Sequence, residues 1–382
     1  MASRAERTYL GQWWWTVDRV LLVALGAVMV SGLVLLMAGG PPVAERLGLS
    51  TFHFVNRQVF FLAPALIVLV ATSFLSPRHV RRLALFIYLV SMLLVFAALQ
   101  FGPEVKGAHR WLNIGSVTLQ PSEFVKPAFV ILAAWAFSEG SHRRDAPGTL
   151  LAIMILPATI IPLILQPDFG QTMLITIVWA GLFFVAGLHM MWMIGLAGVG
   201  GVGIIIAYTF VPHVRARVER FMDKSSGDTF QVDTALESFY QGGWLGKGPG
   251  EGTVKRILPD AHTDFIFAVT GEELGVVACM VLVLLFMLIV LRGLVLARRL
   301  EDPFCRFAAT GLVLLFGIQA CINMAVNVHL MPAKGMTLPF ISYGGSSLIS
   351  LALGMGFLIA ITRKRPTAPL YDRISPLHRS DA

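Results

Sequence analysis

Apolar stretches long enough to cross about 30 Å of hydrocarbon recur along the whole chain, with polar residues confined to the gaps between them. The runs predict about ten helices, at approximately Val20–Ala38, Val59–Leu75, Leu83–Leu99, Val125–Phe137, Thr149–Leu165, Thr172–Ala186, Met193–Phe210, Phe265–Leu291, Phe307–Val328 and Ser347–Ile361. Lipid offers backbone N–H and C=O groups no partner, so each run must satisfy its own hydrogen bonds as a helix. The expected fold is an all-α integral membrane protein, one polytopic domain over residues 1–382 without room for a separate soluble domain. The fourth run is short and is expected to extend in both directions. The seventh is rich in glycine (Gly195, Gly198, Gly200, Gly201, Gly203), which suits close helix packing. Pro64, Pro157 and Pro162 inside runs predict kinks.

Basic residues set the orientation. Alternate gaps carry Arg4, Arg7 and Arg19, then Arg78, Arg81 and Arg82, then Arg143 and Arg144, then Arg292, Arg298, Arg299 and Arg306, and finally Arg363, Lys364, Arg365, Arg373 and Arg379. The positive-inside rule then places segments 1–19 and 362–382 in the cytoplasm. One gap resists the rule. The long loop 211–264, between helices 7 and 8, falls outside yet holds Arg215, Arg217, Arg220, Lys224, Lys247, Lys255 and Arg256. Either an anionic ligand or the length of the loop explains that charge.

Composition agrees with the pattern. Only 14% of residues are charged against 56% hydrophobic, too few charges to cover a soluble protein of this size. The net charge of +8 reads as basic loops against anionic lipid rather than as a nucleic-acid surface. Cys279 and Cys321 fall in apolar runs and Cys305 in a basic gap, which is neither a disulfide framework nor metal-ligand spacing. The first run is long for a signal-peptide core and is expected to be retained as a helix.

Candidate chemistry sits in the gaps. Arg110 precedes Trp111, and a guanidinium fork at headgroup depth suits phosphate. Glu123 and Lys126 share a helix face, either as an interfacial ion pair or as charges turned into a cavity. Asp168, in Gln166-Pro-Asp168-Phe-Gly170, reads first as the cap of the sixth helix. In the long loop, the glycines of Gln241–Gly252 let backbone N–H groups approach an anion, Lys247 adds charge, and Tyr240 and Trp244 offer faces for a sugar. A merely flexible loop is the alternative.

Asp264, beside His262, stands where water meets the eighth run. A partly desolvated carboxylate there could act as a general base, and Thr263 or Asp264 could equally cap the helix. Glu272 and Glu273, inside the apolar run, need a polar cavity. Gln319, Asn323 and Asn327 recur every four residues, so the ninth helix has a polar face expected to look into the bundle. A last polar string, Met331 to Ser347, contains Lys334, Thr337, Ser342, Gly344, Gly345 and Ser346. No Ser-His-Asp set, zinc-ligand spacing, P-loop or dinucleotide fingerprint is evident.

Four strings in order, KGAHRWL with QPSEFVK, QPDFGQ, LPDAHTDFIFAVTGEELG and PAKGMTLPFISYGGSS, resemble the SEDS family of bacterial shape, elongation, division and sporulation proteins, over nearly the whole chain. The GEELG string and the PAKGMTLP run favour the division branch over the elongation branch. The resemblance implies a peptidoglycan glycosyltransferase that polymerises lipid II outside the cytoplasmic (inner) membrane, at the division septum. The family's essential aspartate falls on Asp264, implied to take a proton from the acceptor GlcNAc 4-hydroxyl in an inverting transfer from glycan on undecaprenyl pyrophosphate.

The substrate-binding positions carried with this reading are Arg110, Glu123, Lys126, Asp168, Gln231, Trp244, Lys247, His262, Ser342, Gly344, Gly345 and Ser346. Arg110 and Lys126 are expected to neutralise pyrophosphate. A divalent cation, Mg or Mn, is compatible with the chemistry, but no ligand set compels one. Expected partners are a class B penicillin-binding protein transpeptidase and other division proteins, with no nucleic acid. The rival readings are a lipid II flippase, a division scaffold docking through the tail from Arg363, and an elongation role.

Overall fold

Each apolar run lies on one helix of the structure, a computed structural model that describes residues 9–105, 107–115, 117–142, 147–187, 190–210, 215, 230–332 and 335–364. Lys106, Lys334, Arg217, Arg220, Lys224 and the tail beyond Lys364 lie outside the described residues. The helices are α1 (Tyr9–Thr16), α2 (Arg19–Arg46), α3 (His53–Ser73), α4 (Pro77–Phe101), α5 (Pro121–His142), α6 (Gly148–Leu165), α7 (Phe169–Val185), α8 (Met190–Phe210), α9 (Phe230–Gly242), α10 (Ile266–Arg298), α11 (Pro303–Asn327) and α12 (Gly345–Thr362). A small antiparallel hairpin, β1 (Leu112–Ile114) with β2 (Val117–Leu119), separates α4 from α5.

Seven helices, α2, α3, α4, α6, α10, α11 and α12, are long and apolar enough to cross a membrane, and α7 is a shorter apolar helix. Helix starts follow local chemistry. Asp18, Ser76 and Asp302 cap α2, α4 and α11 through side-chain oxygens, and Pro77 and Pro303 open two of these helices, where a missing N–H costs nothing.

α5 is the central helix. It packs on α4, α6, α7, α11 and α12, and its residues Val125 to Ala134 are all buried. That placement explains how a lysine and a glutamate survive in its first turns, since they meet protein and not lipid. The helix extends beyond its apolar run on both sides, as expected.

Three expectations need correction or addition. Among the described residues nothing packs closely on the glycines of α8, because a Cβ built at Gly195, Gly198, Gly200, Gly201 or Gly203 meets nothing within 4 Å. The tight contacts lie elsewhere: a Cβ at Gly32 of α2 would stand 2.3 Å from the Phe340 carbonyl oxygen. α3 and α6 run through Pro64, Pro157 and Pro162 as continuous helices, and the break in a long helix comes instead at Gly275 of α10. Two helices were also not foreseen among the described residues, α1 before the first span and α9 within the long loop.

The bundle has two distinct ends. At one, the Lys364 N–H donates to the Thr16 carbonyl at 3.1 Å, which brings both ends of the described chain together. Arg292 grips Asp18 there with Nε and Nη2, and Trp13 Nε1 donates to Ser73 Oγ at 2.7 Å. The polar strings gather at the other end, around the starts of α5, α7, α10 and α12.

Candidate active site

The start of α10 is held by its backbone. Thr263 and Asp264 do not cap the helix; Phe265 occupies the cap position without a side-chain bond. Instead the carbonyls of residues 262, 263 and 264, which precede the first helical turn, are each taken by an outside donor. The Tyr343 N–H donates to His262 O at 2.9 Å, and Ser342 Oγ donates to Thr263 O at 2.5 Å. Asn323 Nδ2 and Asn327 Nδ2 both donate to Asp264 O, each at 2.9 Å.

The frame is itself braced. Asn323 Nδ2 also reaches Met336 O at 2.6 Å, Asn327 Oδ1 accepts the Ala268 N–H at 3.0 Å, and Ser342 Oγ accepts the Leu338 N–H at 2.8 Å. The polar face of α11 therefore looks inward, as its spacing predicted. It positions main chain, leaving the half-buried Asp264 carboxylate beside Gly335, where a Cβ would stand 3.7 Å from Oδ2.

His262 packs between Phe54 and Tyr343, with ring centroids 4.1 Å and 5.6 Å away. Burial lowers its pKa to about 4; Arg46 acts in the same direction and Asp260 against it. The ring is therefore neutral near pH 7 and carries no charge beside Asp264.

A second polar centre lies deeper along α11. Lys126 Nζ is 2.9 Å from Glu123 Oε2 and donates to Gln319 Oε1 at 3.1 Å. Gln171 Nε2 donates to Glu123 Oε1 at 2.7 Å, and Ser350 Oγ donates to the Glu123 carbonyl at 2.6 Å. Lys126 is only 2% exposed. A cavity of about 20 Å³ beside it, lined by Gln319, Ser350 and Phe316 among others, has room for one water. Gln319 Nε2 continues to Thr337 O at 3.1 Å, and Thr337 Oγ1 lies 2.9 Å from Ser347 Oγ. Gln319 and Asn323 are one turn apart on α11, so this face links Lys126 to the Asp264 frame.

Arg110 turns its fork inward. Nε donates to Gln166 O at 3.2 Å, Nη2 donates to Pro167 O, and Nη1 stands 3.9 Å from Asp168 Oδ1. Asp168 occupies the cap position of α7 but makes no capping bond. It is buried, and Gln120 Nε2 donates to its Oδ2 at 3.4 Å. Burial pushes its carboxyl above the usual carboxylate range, partly opposed by Arg110. Ser346 Oγ accepts the Gln120 N–H at 3.1 Å and donates to Thr118 O at 3.3 Å, which fastens the hairpin to the start of α12. The Gly344 N–H donates to Gln58 Oε1 at 3.4 Å, and a Cβ at Gly345 would press on the Phe61 ring at 2.8 Å.

The glycine-rich loop turns backbone groups toward α10. Its Lys247 and Gly248 N–H groups donate to Glu272 O and Glu273 O, both at 3.0 Å, and Gly243 O and Trp244 O accept from Val276 and Val277 at 3.0 and 3.2 Å. These contacts splint the break at Gly275. Gly246 has φ of +80°, and a Cβ there would lie 2.1 Å from Glu273 O, so no other residue fits. The polar surroundings that Glu272 and Glu273 required are the loop itself. The Glu272 carboxylate accepts the N–H groups of Thr253, Val254 and Lys255 at 2.5, 2.7 and 2.9 Å, and Glu273 pairs with Lys255 Nζ. Lys247 meets α10 about two turns beyond Asp264, and Gln231 lies in the first turn of α9.

With this geometry in view, the comparisons are decisive. The profile of the cell cycle protein family that includes FtsW, RodA and SpoVE matches residues 18–367. The chain belongs to that family. It is 46% identical over 367 residues to a probable peptidoglycan glycosyltransferase FtsW of Caulobacter vibrioides, covering 96% of this chain and 94% of the relative. A protein of the same name from Aliivibrio salmonicida is 35% identical, covering 90% and 88%. Among solved structures, the rod shape determining protein RodA of Thermus thermophilus superposes with a TM-score of 0.69 at 27% identity, covering 93% and 99%. A chain from a peptidoglycan synthase complex, reported for its coordination of polymerization and crosslinking, gives 0.74 at 27% identity, covering 91% and 97%. The fold is therefore the FtsW/RodA membrane fold, and the curated relatives carry the division name, as the GEELG and PAKGMTLP strings indicated.

Within this FtsW/RodA frame, Asp264, His262 and Ser342 meet in one place, with Lys126 and Glu123 one step deeper. Ser346 and Gly344 tie the neighbouring hairpin and α3 to it, and Arg110 and Asp168 form their own knot at the start of α7. The structural importance of Gln58, Gln166 and Gln171 was not read from the sequence. Each is a buried glutamine in or beside an apolar run, and that isolation was the available signal.

Proposed function

We propose that this chain is an FtsW-type peptidoglycan glycosyltransferase that polymerises lipid II at the outer face of the cytoplasmic membrane during cell division, with Asp264 as the base. The observation that carries the proposal is the frame around residues 262–264. Three side chains, Asn323, Asn327 and Ser342, and the Tyr343 backbone N–H fix the main chain at residues 262–264, and the Asp264 carboxylate stands beside Gly335. A group fixed at its backbone and directed past Gly335 is preorganised for proton transfer.

In the proposed reaction Asp264 takes the proton of the acceptor GlcNAc 4-hydroxyl as that oxygen attacks the donor MurNAc anomeric carbon. The bond to the lipid pyrophosphate breaks on the opposite face, so configuration inverts. Asp264 then returns its proton to solvent. Pyrophosphate needs charge neutralisation more than protonation, and Lys126 and Arg110 are the proposed sources. Lys126 acts from within its pair with Glu123, and Arg110 through the guanidinium edge that faces Asp168.

Among the described residues no three His, Cys, Asp or Glu side chains gather at one point. A Mg or Mn ion, which Asp264 would hold, would offset pyrophosphate charge and would change the assignment of Asp264 as the base; no step above runs through it. A class B transpeptidase that crosslinks the new strand is the proposed partner.

The buried Glu123, Lys126, Gln171 and Gln319 cluster favours one rival, a lipid II flippase, since polar groups inside a helix bundle suit a headgroup path. Purified chain and lipid II separate the two readings. Lengthening of glycan, with or without the transpeptidase, supports the polymerase; transfer of labelled lipid II across vesicles without lengthening replaces it with the flippase.

A further inference from the structure

Gly275 divides α10 into two parts of different character. Its φ of 79° and ψ of 177° interrupt the helix, leaving carbonyls before it and N–H groups after it without helical partners. The glycine-rich loop satisfies both sets, as described above. Before the break, Ile266, Phe267, Val269, Thr270, Glu272 and Glu273 are all buried, so this part has no face for lipid.

After the break, Val277, Val281, Leu284, Leu288, Leu291 and Val295 are each at least 41% exposed and recur at intervals of three and four residues, which is one helix face. At 1.5 Å per residue this stripe is about 27 Å long, close to the ~30 Å of a hydrocarbon core. The lipid-crossing part of α10 therefore begins at the break.

The loop that caps this part presents Tyr240 at 81%, Trp244 at 72% and Leu245 at 81% exposure. Trp244 O accepts from Val277, the first residue of the lipid-facing stripe, so the loop stands at the edge of the hydrocarbon. We propose that Tyr240, Trp244 and Leu245 form a membrane anchor seated at the headgroup–acyl boundary of the leaflet on the Asp264 side. Continuity with the α10 stripe identifies lipid as the occupant. Trp and Tyr prefer that depth, and the exposed Lys247 beside them can reach headgroup phosphates. The anchor fixes the depth of the loop, and with it that of the buried Glu272, Glu273 and Lys255, which then lie at the membrane surface rather than in mid-bilayer. It does not depend on any reaction step.

The test uses Leu245→Cys in a Cys321→Ser background, since Cys279 and Cys305 are buried. The full chain, labelled with an environment-sensitive fluorophore, is reconstituted without partners in phosphatidylcholine–phosphatidylglycerol vesicles. Spin-labelled lipids carry the quencher either near the headgroup or deep in the acyl chain. The shallow quencher should remove about half or more of the signal and the deep one less, whereas a Leu284→Cys control should show the reverse order. A Leu245 label untouched by either quencher, with the control quenched, overturns the proposal and assigns the patch to a protein partner. If Leu245→Cys does not fold, Tyr240→Cys reports the same depth.

Discussion

The Asp264 frame and the Lys126 cluster lie along one face of α11 and use hydrogen bonds in opposite ways. Around Asp264, the side chains of Asn323, Asn327 and Ser342 bind main-chain atoms, so the position of the carboxylate is set through the backbone. Around Lys126, side chains bind one another: ammonium, carboxylate and two carboxamides are joined by an ion pair and hydrogen bonds at 2% exposure of the lysine. The first arrangement is suited to chemistry on an incoming group. The second is suited to holding α5, α7 and α11 together, and any electrostatic role it has must act through that structure. A charged residue in an apolar helix is thus no sufficient sign of a reacting group; what its partners are decides.

Breaking the buried pair should have the largest effect on stability. Lys126→Ala leaves Glu123 buried without its cation and is expected to cost about 3–5 kcal/mol, seen as a large fall in thermal unfolding temperature in detergent. Lys126→Met with Glu123→Gln removes both charges and should recover much of that loss. If the single variant is as stable as the parent, the cluster is not structural.

His262 sharpens the contrast through pH. Its folded pKa is lowered to about 4 from 6.5, mainly by burial. Above pH 6.5 both folded and unfolded forms are neutral, and the full contribution is present. As pH falls from about 6.5 towards 4 only the unfolded chain takes up the proton, so stability should decline through that window, by at most about 3 kcal/mol. His262→Phe should flatten this part of the stability–pH profile, and an unchanged slope would refute the assignment.

Smaller again is the loss of one donor from the frame. Asn327→Ala should cost about 1–2 kcal/mol of stability. It should lower kcat for glycan extension about tenfold or more with little change in KM, because a misplaced base weakens the transition state more than binding. Ser342→Ala should act in the same sense, by about 1 kcal/mol. An unchanged kcat for folded Asn327→Ala protein would remove the positioning role of the frame.

Much of this molecule was legible before its structure. The spans follow from runs of apolar residues, and the inward polar face of α11 follows from Gln319, Asn323 and Asn327 at every fourth position. What those residues touch was not legible: Asn323 and Asp264 are 59 residues apart, and the contact is to a carbonyl, which every residue possesses. The partners of Arg110 were hidden for the same reason, since they are the Gln166 and Pro167 carbonyls. The contact of the glycine-rich loop with a helix break was hidden because the Lys247 and Gly248 N–H groups meet carbonyls, and Gly275 lies silently inside an apolar run. α1 was missed because eight residues are too short to register as a span.

In the proposed mechanism Asp264 is placed by its backbone and acts through its carboxylate. Asp264→Asn keeps the size of the side chain and every main-chain bond while removing the base. Purified wild type and variant, matched for thermal unfolding, should be compared for polymerisation of lipid II in the presence of the transpeptidase. The expected result is an equally folded variant whose polymerisation falls by about a thousandfold or more. Wild-type polymerisation by a folded Asp264→Asn protein would contradict it.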